Sequence, residues 1–113
     1  GVMVERALEA AERLAERGVD TMVIDMHTIK PIDREAIIRA ANSGAIVTAE
    51  DHSVMGGLGS AVAEVLVEEA PTMMRMIGVR DKFGESGSPM EIMDKMGLTS
   101  ENIASKVEDL LSK

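Results

Sequence analysis

The side chains able to do acid–base or ligand chemistry fall in three short groups: His27 with Lys30, then Glu50, Asp51 and His52, then Arg80, Asp81 and Lys82. An imidazole beside a carboxylate is the pairing of a general acid and base at neutral pH, and two histidines among carboxylates could begin a metal site. Ligation needs three or more convergent donors, however, and no helical spacing of the H-E-x-x-H kind is present. The weightier reading gives His27 and His52 a hydrogen-bonding role in fixing loops, with direct catalysis left as the alternative; no catalytic or metal residue is assigned. Cysteine is absent, which removes thiolate nucleophiles, thiolate zinc sites and disulfides together and suits a reducing, cytoplasmic setting.

Two glycine-rich stretches accompany these groups. Gly56-Gly57-Leu58-Gly59-Ser60 opens an apolar helix, where free backbone N–H groups and the helix dipole could hold an anion at Gly57, Gly59 and Ser60. The fit to known phosphate loops is poor: Val62 stands where the dinucleotide fingerprint needs glycine or alanine, the P-loop lysine is missing, and Glu50 and Asp51 add negative charge nearby. Close packing of a sharply started helix against strand backbone is the stronger reading of these glycines. Neither Ser53 nor Ser60 sits in a G-x-S-x-G elbow. The second stretch, Phe83-Gly84-Glu85-Ser86-Gly87-Ser88, carries the chain's single aromatic residue, which could anchor the loop internally or dock it against another surface.

The elements that must position these groups alternate. Apolar residues at Val4, Ala7, Leu8, Ala11, Leu14 and Ala15 predict an amphipathic helix from Met3 to Arg17, stopped by Gly18. Thr21 to Met26 reads as a strand covered on both faces, and Asp33 as the N-cap of a helix with Ile37, Ile38 and Ala41 inward. Ala45 to Glu50 is the next strand, Leu58 to Ala70 a helix, and Met74 to Val79 a third strand. Ser88, Pro89 and Glu91 predict the start of a short helix ending at Gly97, and Thr99 caps a last helix with Ile103, Val107, Leu110 and Leu111 inward. This order predicts one α/β three-layer domain over residues 1–113, with a small, mainly parallel sheet flanked by helices. Because the chain opens on a helix, a strand preceding Gly1 is expected to complete the sheet. Its absence would leave an unpaired edge or an uncovered apolar groove that favours self-association. The three charged groups then lie beyond the carboxyl ends of the strands, where open α/β sheets bind ligands.

Composition limits what such a domain can do. Twelve basic against twenty acidic residues give a net charge of −8, which disfavours nucleic acid and anionic membranes. One aromatic residue leaves no stacking platform, and no apolar run approaches the roughly 18 residues of a membrane span. Ten methionines supply the bulk that aromatics usually provide, with an interaction surface as the alternative use.

Taken in order, Met26-His27-Thr28-Ile29-Lys30-Pro31-Ile32-Asp33, then Glu50-Asp51-His52 leading to Gly56-Gly57-Leu58-Gly59-Ser60-Ala61-Val62-Ala63-Glu64, then Asp81-Lys82-Phe83-Gly84-Glu85-Ser86-Gly87, resemble the C-terminal domain of transketolase over nearly the whole chain. The segment T-I-K-P-I-D favours transketolase over deoxyxylulose phosphate synthase and the β subunits of 2-oxo acid dehydrogenases. The resemblance implies a dimeric enzyme of the pentose phosphate pathway that uses thiamine diphosphate and Mg²⁺ to move a two-carbon ketol unit between sugar phosphates. It also implies that cofactor and metal are held by upstream pyrophosphate- and pyrimidine-binding domains, carried on the same chain or on an N-terminal subunit. No catalytic or cofactor-binding residue carries over to this chain, which is expected to be inactive alone. His27, Lys30, Glu50, His52, Asp81, Phe83 and Ser86 are expected to face the other domains or a second copy. A small anion- or nucleotide-binding regulatory module at Gly56 to Ser60 is the competing reading.

Overall fold

The computed structural model describes residues 2–26, 30–53, 57–79 and 89–113. Its elements run α1 (Val2–Glu16), α2 (Arg34–Ala41), β1 (Ala45–Ser53), α3 (Leu58–Glu69), β2 (Met73–Val79), α4 (Pro89–Lys95) and α5 (Ser100–Leu111). β1 and β2 pair in parallel, Ala45 opposite Met73 through Ala49 opposite Ile77, and α3 is the crossover that parallel neighbours need. Side-chain alternation then assigns the two faces. Ile46 and Met74 join a core with Ile37, Val62, Val65 and Leu66 from α2 and α3, whereas Val47, Ala49 and Ile77 join Ala10, Leu14, Met93, Leu98, Ile103 and Ala104 from α1, α4 and α5. Helices therefore cover both faces of the sheet, the three-layer arrangement read from the sequence.

Local chemistry explains where the helices stop and start. Asp33 accepts from the Ala36 N–H at 3.1 Å and Thr99 from the Asn102 N–H at 3.1 Å, so both expected N-caps form. α1 closes with Gly18 at φ 82°, its N–H donating to the Ala15 carbonyl and the Val19 N–H to that of Leu14. Gly97, at φ 77°, repeats the pattern after α4, and the next residue, Leu98, is driven fully inside. Arg6, largely buried on α1, donates to the Leu98 carbonyl and to Asp94 Oδ1, which locks this turn to the first helix. The Lys30–Pro31 peptide is cis.

Three expectations are corrected. Thr21–Met26 joins no ladder, so the described residues form two strands and not three. The segment keeps its two-residue alternation, with Thr21 and Val23 half-buried, but Met22 is 65% and Ile24 40% exposed. A two-sided apolar run becomes a strand only when neighbouring N–H and C=O groups are there to pair with it, and no described strand offers them. On α1 the inward stripe is Met3, Ala10 and Leu14, while Leu8 is half exposed, because the apolar residues make two adjacent stripes of which one meets α5. Leu111 is also 49% exposed. Arg17, just past the end of α1, pairs with Glu108, so Leu111 lies nearly a turn beyond the helix that would have covered it.

Candidate functional site

The described residues of the carboxyl edge are organised by Glu50. β1 is regular to Ala49 and then loses register, so that Ser53 is the next residue with a partner, Val79. Such an irregularity re-aims side chains at a sheet edge. Glu50 lies in it, only 6% exposed, on the face that carries α3. Its Oε1 accepts from the Leu58 N–H at 2.9 Å and its Oε2 from the Gly59 N–H at 2.8 Å. The N-cap position is Gly57, which has no side chain to satisfy these donors, and the neighbouring strand provides the acceptor instead. A buried carboxylate at the positive end of α3 is stabilised by two charge-assisted hydrogen bonds and by the helix dipole.

This arrangement bears on both readings of the glycine-rich helix start. Of the positions that could have received an external anion, Gly59 gives its N–H to the internal carboxylate, as does Leu58 beside it. Gly59 is buried, and a Cβ there would stand 2.8 Å from Met76 Sδ, 3.0 Å from Met76 Cγ and 3.0 Å from Thr48 Oγ1. Glycine thus suits the close approach of α3 to side chains from both strands. Thr48 Oγ1 in this contact is buried and without a hydrogen-bond partner. Glu50, expected at an interdomain surface, is buried within this chain as the cap of α3, with both oxygens engaged.

The remaining candidates divide. Lys30 and Asp51 are exposed. His52 continues β1, with its side chain outside the described part, and His27, Asp81, Phe83 and Ser86 lie outside the described residues. Among the described residues no group of three His, Cys, Asp or Glu side chains could hold a metal ion, and no helix is long and apolar enough to cross a membrane. A feature that sequence reasoning missed is a cleft of about 300 Å³ along β2, lined by Arg75, Met76, Ile77, Gly78, Lys95, Met96, Asn102 and Lys106. Its cations come from three elements with no common spacing, so no sequence pattern announces it.

Fold and site together define a small α/β domain whose glycine-rich helix start is closed by the chain's own carboxylate. Residues 1–103 match the family of the transketolase C-terminal domain, and the chain belongs to that family. It is 47% identical, over its whole length, to the 6-deoxy-6-sulfo-D-fructose transketolase subunit SqwH of Clostridium sp. (strain MSTE9), of which it covers 35%. It is 41% identical over 99% of its length to 1-deoxy-D-xylulose-5-phosphate synthase 1 of Geobacter sulfurreducens, covering 18% of that protein. Among solved structures it superposes on a split-gene transketolase described as an inactive beta4 tetramer, with TM-score 0.92 and 50% identity over 99% of this chain and 37% of the other. The chain thus spans about a third or less of the length of these relatives.

Proposed function

We propose that this chain is the assembly section of a cytoplasmic, thiamine-diphosphate-dependent transketolase, a ketol-group transferase of carbohydrate metabolism, and that it is inactive by itself. The observation that carries the reading is its full-length match to about a third of a transketolase subunit. The residues described do not fit the cofactor: the helix start that would suit a diphosphate is filled by Glu50, so no step of ketol transfer is derived through it. The chain's part is to present its carboxyl edge to upstream pyrophosphate- and pyrimidine-binding domains and to a second copy of the assembly. His27, Lys30, His52, Asp81, Phe83 and Ser86 are the residues proposed to meet them, with Glu50 shaping that edge from within.

Mixing the chain with the matching upstream part, thiamine diphosphate and Mg²⁺ is expected to restore transfer from a ketose phosphate to an aldose phosphate. Turnover by the chain alone would refute the assignment. A second reading, the equivalent domain of a deoxyxylulose phosphate synthase, draws on the 41% identity to the Geobacter protein. Pyruvate as donor to the completed complex would favour it, and a ketose phosphate would favour the first.

A further inference from the structure

Six of the chain's basic residues are described without a carboxylate partner, and three of them, Arg75, Lys95 and Lys106, line the same cleft. That is unexpected in a chain of net charge −8, where the other described arginines of α1 and α2 mostly find acids: Arg6 with Asp94, Arg13 with Glu101, Arg17 with Glu108, Arg34 with Glu68 and Glu69. Arg75 and Lys106 are half-buried, and among the described residues the Arg75 guanidinium donates to the adjacent Met74 carbonyl at 3.2 Å. Among the described residues no acidic side chain lines the cleft. Gathering like charges is unfavourable unless something neutralises them.

The floor adds a second kind of recognition. Among the described residues β2 pairs with β1 alone, and the cleft runs along four consecutive residues of β2, Arg75 to Gly78. Ile77 and Gly78 are buried, so β2 forms the closed floor of the cleft. Ile77, Met76 and Met96 supply apolar lining, while Asn102 uses its amide to hold the Gly97 carbonyl at 2.7 Å, fixing the wall between α4 and α5. A pocket of this size with convergent cations and a few fixed polar groups suits a compact ligand.

We propose that the cleft along β2 binds a small phosphorylated molecule, its phosphate held by Arg75, Lys95 and Lys106 above the floor that β2 provides. The site is separate from the Glu50-closed start of α3 and does not depend on the ketol-transfer reading. The test is titration of the full chain with inorganic pyrophosphate and with glycerol 3-phosphate, followed by amide NMR and calorimetry. Saturable one-to-one binding is expected, with shifts confined to residues 75–78, 95–96 and 102–106. Lys106→Gln, alone or with Lys95→Gln, should weaken it by about tenfold or more, since each removes a charged hydrogen-bond donor. Arg75→Lys keeps a charge at the half-buried position and should bind measurably, while Arg39→Gln, remote from the cleft, should bind as the parent does. Shifts centred on residues 57–60, binding unaffected by the lysine changes, or no saturation at millimolar ligand would each overturn the proposal. So would tight capture of an acidic extended peptide by a cleft that ignores both phosphates, which would make this edge a strand-docking site.

Discussion

Removing the Glu50 carboxylate tests how the helix start is built. Glu50→Ala takes away the acceptor of two N–H groups at 2.9 and 2.8 Å and the anion at the positive end of α3. Hydrogen bonds to charged groups contribute about 1.5–3 kcal/mol each, and a helix-terminal charge up to about 2 more in partly buried sites. The full sum is not lost, because Leu58 is half-buried and water entering the vacated space can reach its N–H, whereas Gly59 is buried. A net loss of about 3 kcal/mol follows, with about 2 for Glu50→Gln, whose amide oxygen satisfies one donor while its NH₂ opposes the other. With an unfolding entropy of about 2.1 cal/mol/K per residue over the chain, these correspond to Tm decreases of about 12 and 8 °C. Guanidinium and thermal unfolding followed by circular dichroism measure both. Glu50→Ala should also gain a response that the parent lacks: millimolar sulfate, compared with chloride at equal ionic strength, should recover part of its Tm by occupying the exposed N–H groups. Both variants within about 0.5 kcal/mol of the parent, or equal sulfate responses, would refute the reasoning.

Three further outcomes follow from the same contacts. Gly59→Ala gains about 1 kcal/mol of helix propensity but forces a Cβ against Met76 and Thr48, and a net loss of about 1–2 kcal/mol is expected in chemical denaturation. Thr48→Val replaces a buried, unpartnered hydroxyl by a methyl of similar shape and should be neutral or stabilising by up to about 1 kcal/mol; a clear loss would reveal a partner for that oxygen. Gly97→Ala places a Cβ at φ 77° and 3.0 Å from Asn102 Nδ2, so a cost of about 1–2 kcal/mol is expected, with amide shifts spreading into the start of α5.

Most helices were legible in the sequence because they carry local signals: Asp33 and Thr99 as caps, Gly18 and Gly97 as stops, and a three- to four-residue apolar period. β1 and β2 were legible as short apolar runs between those helices. Thr21–Met26 has the same composition, yet the signal that separates a strand from an unpaired run is a neighbouring backbone, which no local pattern encodes. The same limit governs the site. That Gly59 serves close packing could be read from its place at the head of an apolar helix, but the capping by Glu50 depends on α3 folding back over β1, which brings N–H groups eight and nine residues further on to its carboxylate. Spacing placed Glu50 at the correct edge of the sheet and could not say which way it would turn.

α1 and α5 pack side by side although they stand far apart in the sequence, with Arg13 paired to Glu101 and Arg17, just past α1, to Glu108. The core on their side of the sheet therefore closes only when some 90 residues of intervening chain have been brought together, a step whose loop entropy is compensated late. The core on the other face, drawn from Ile37 through Met74, needs no such closure. Folding should start in the β1–α3–β2 crossover and end when the terminal helices dock side by side. In hydrogen exchange, amides of α3 should outlast those of α1, and removing the last turns of α5 should release α1 while the crossover stays protected. α1 is thus held by a helix made some 90 residues later, and it cannot settle until that helix exists.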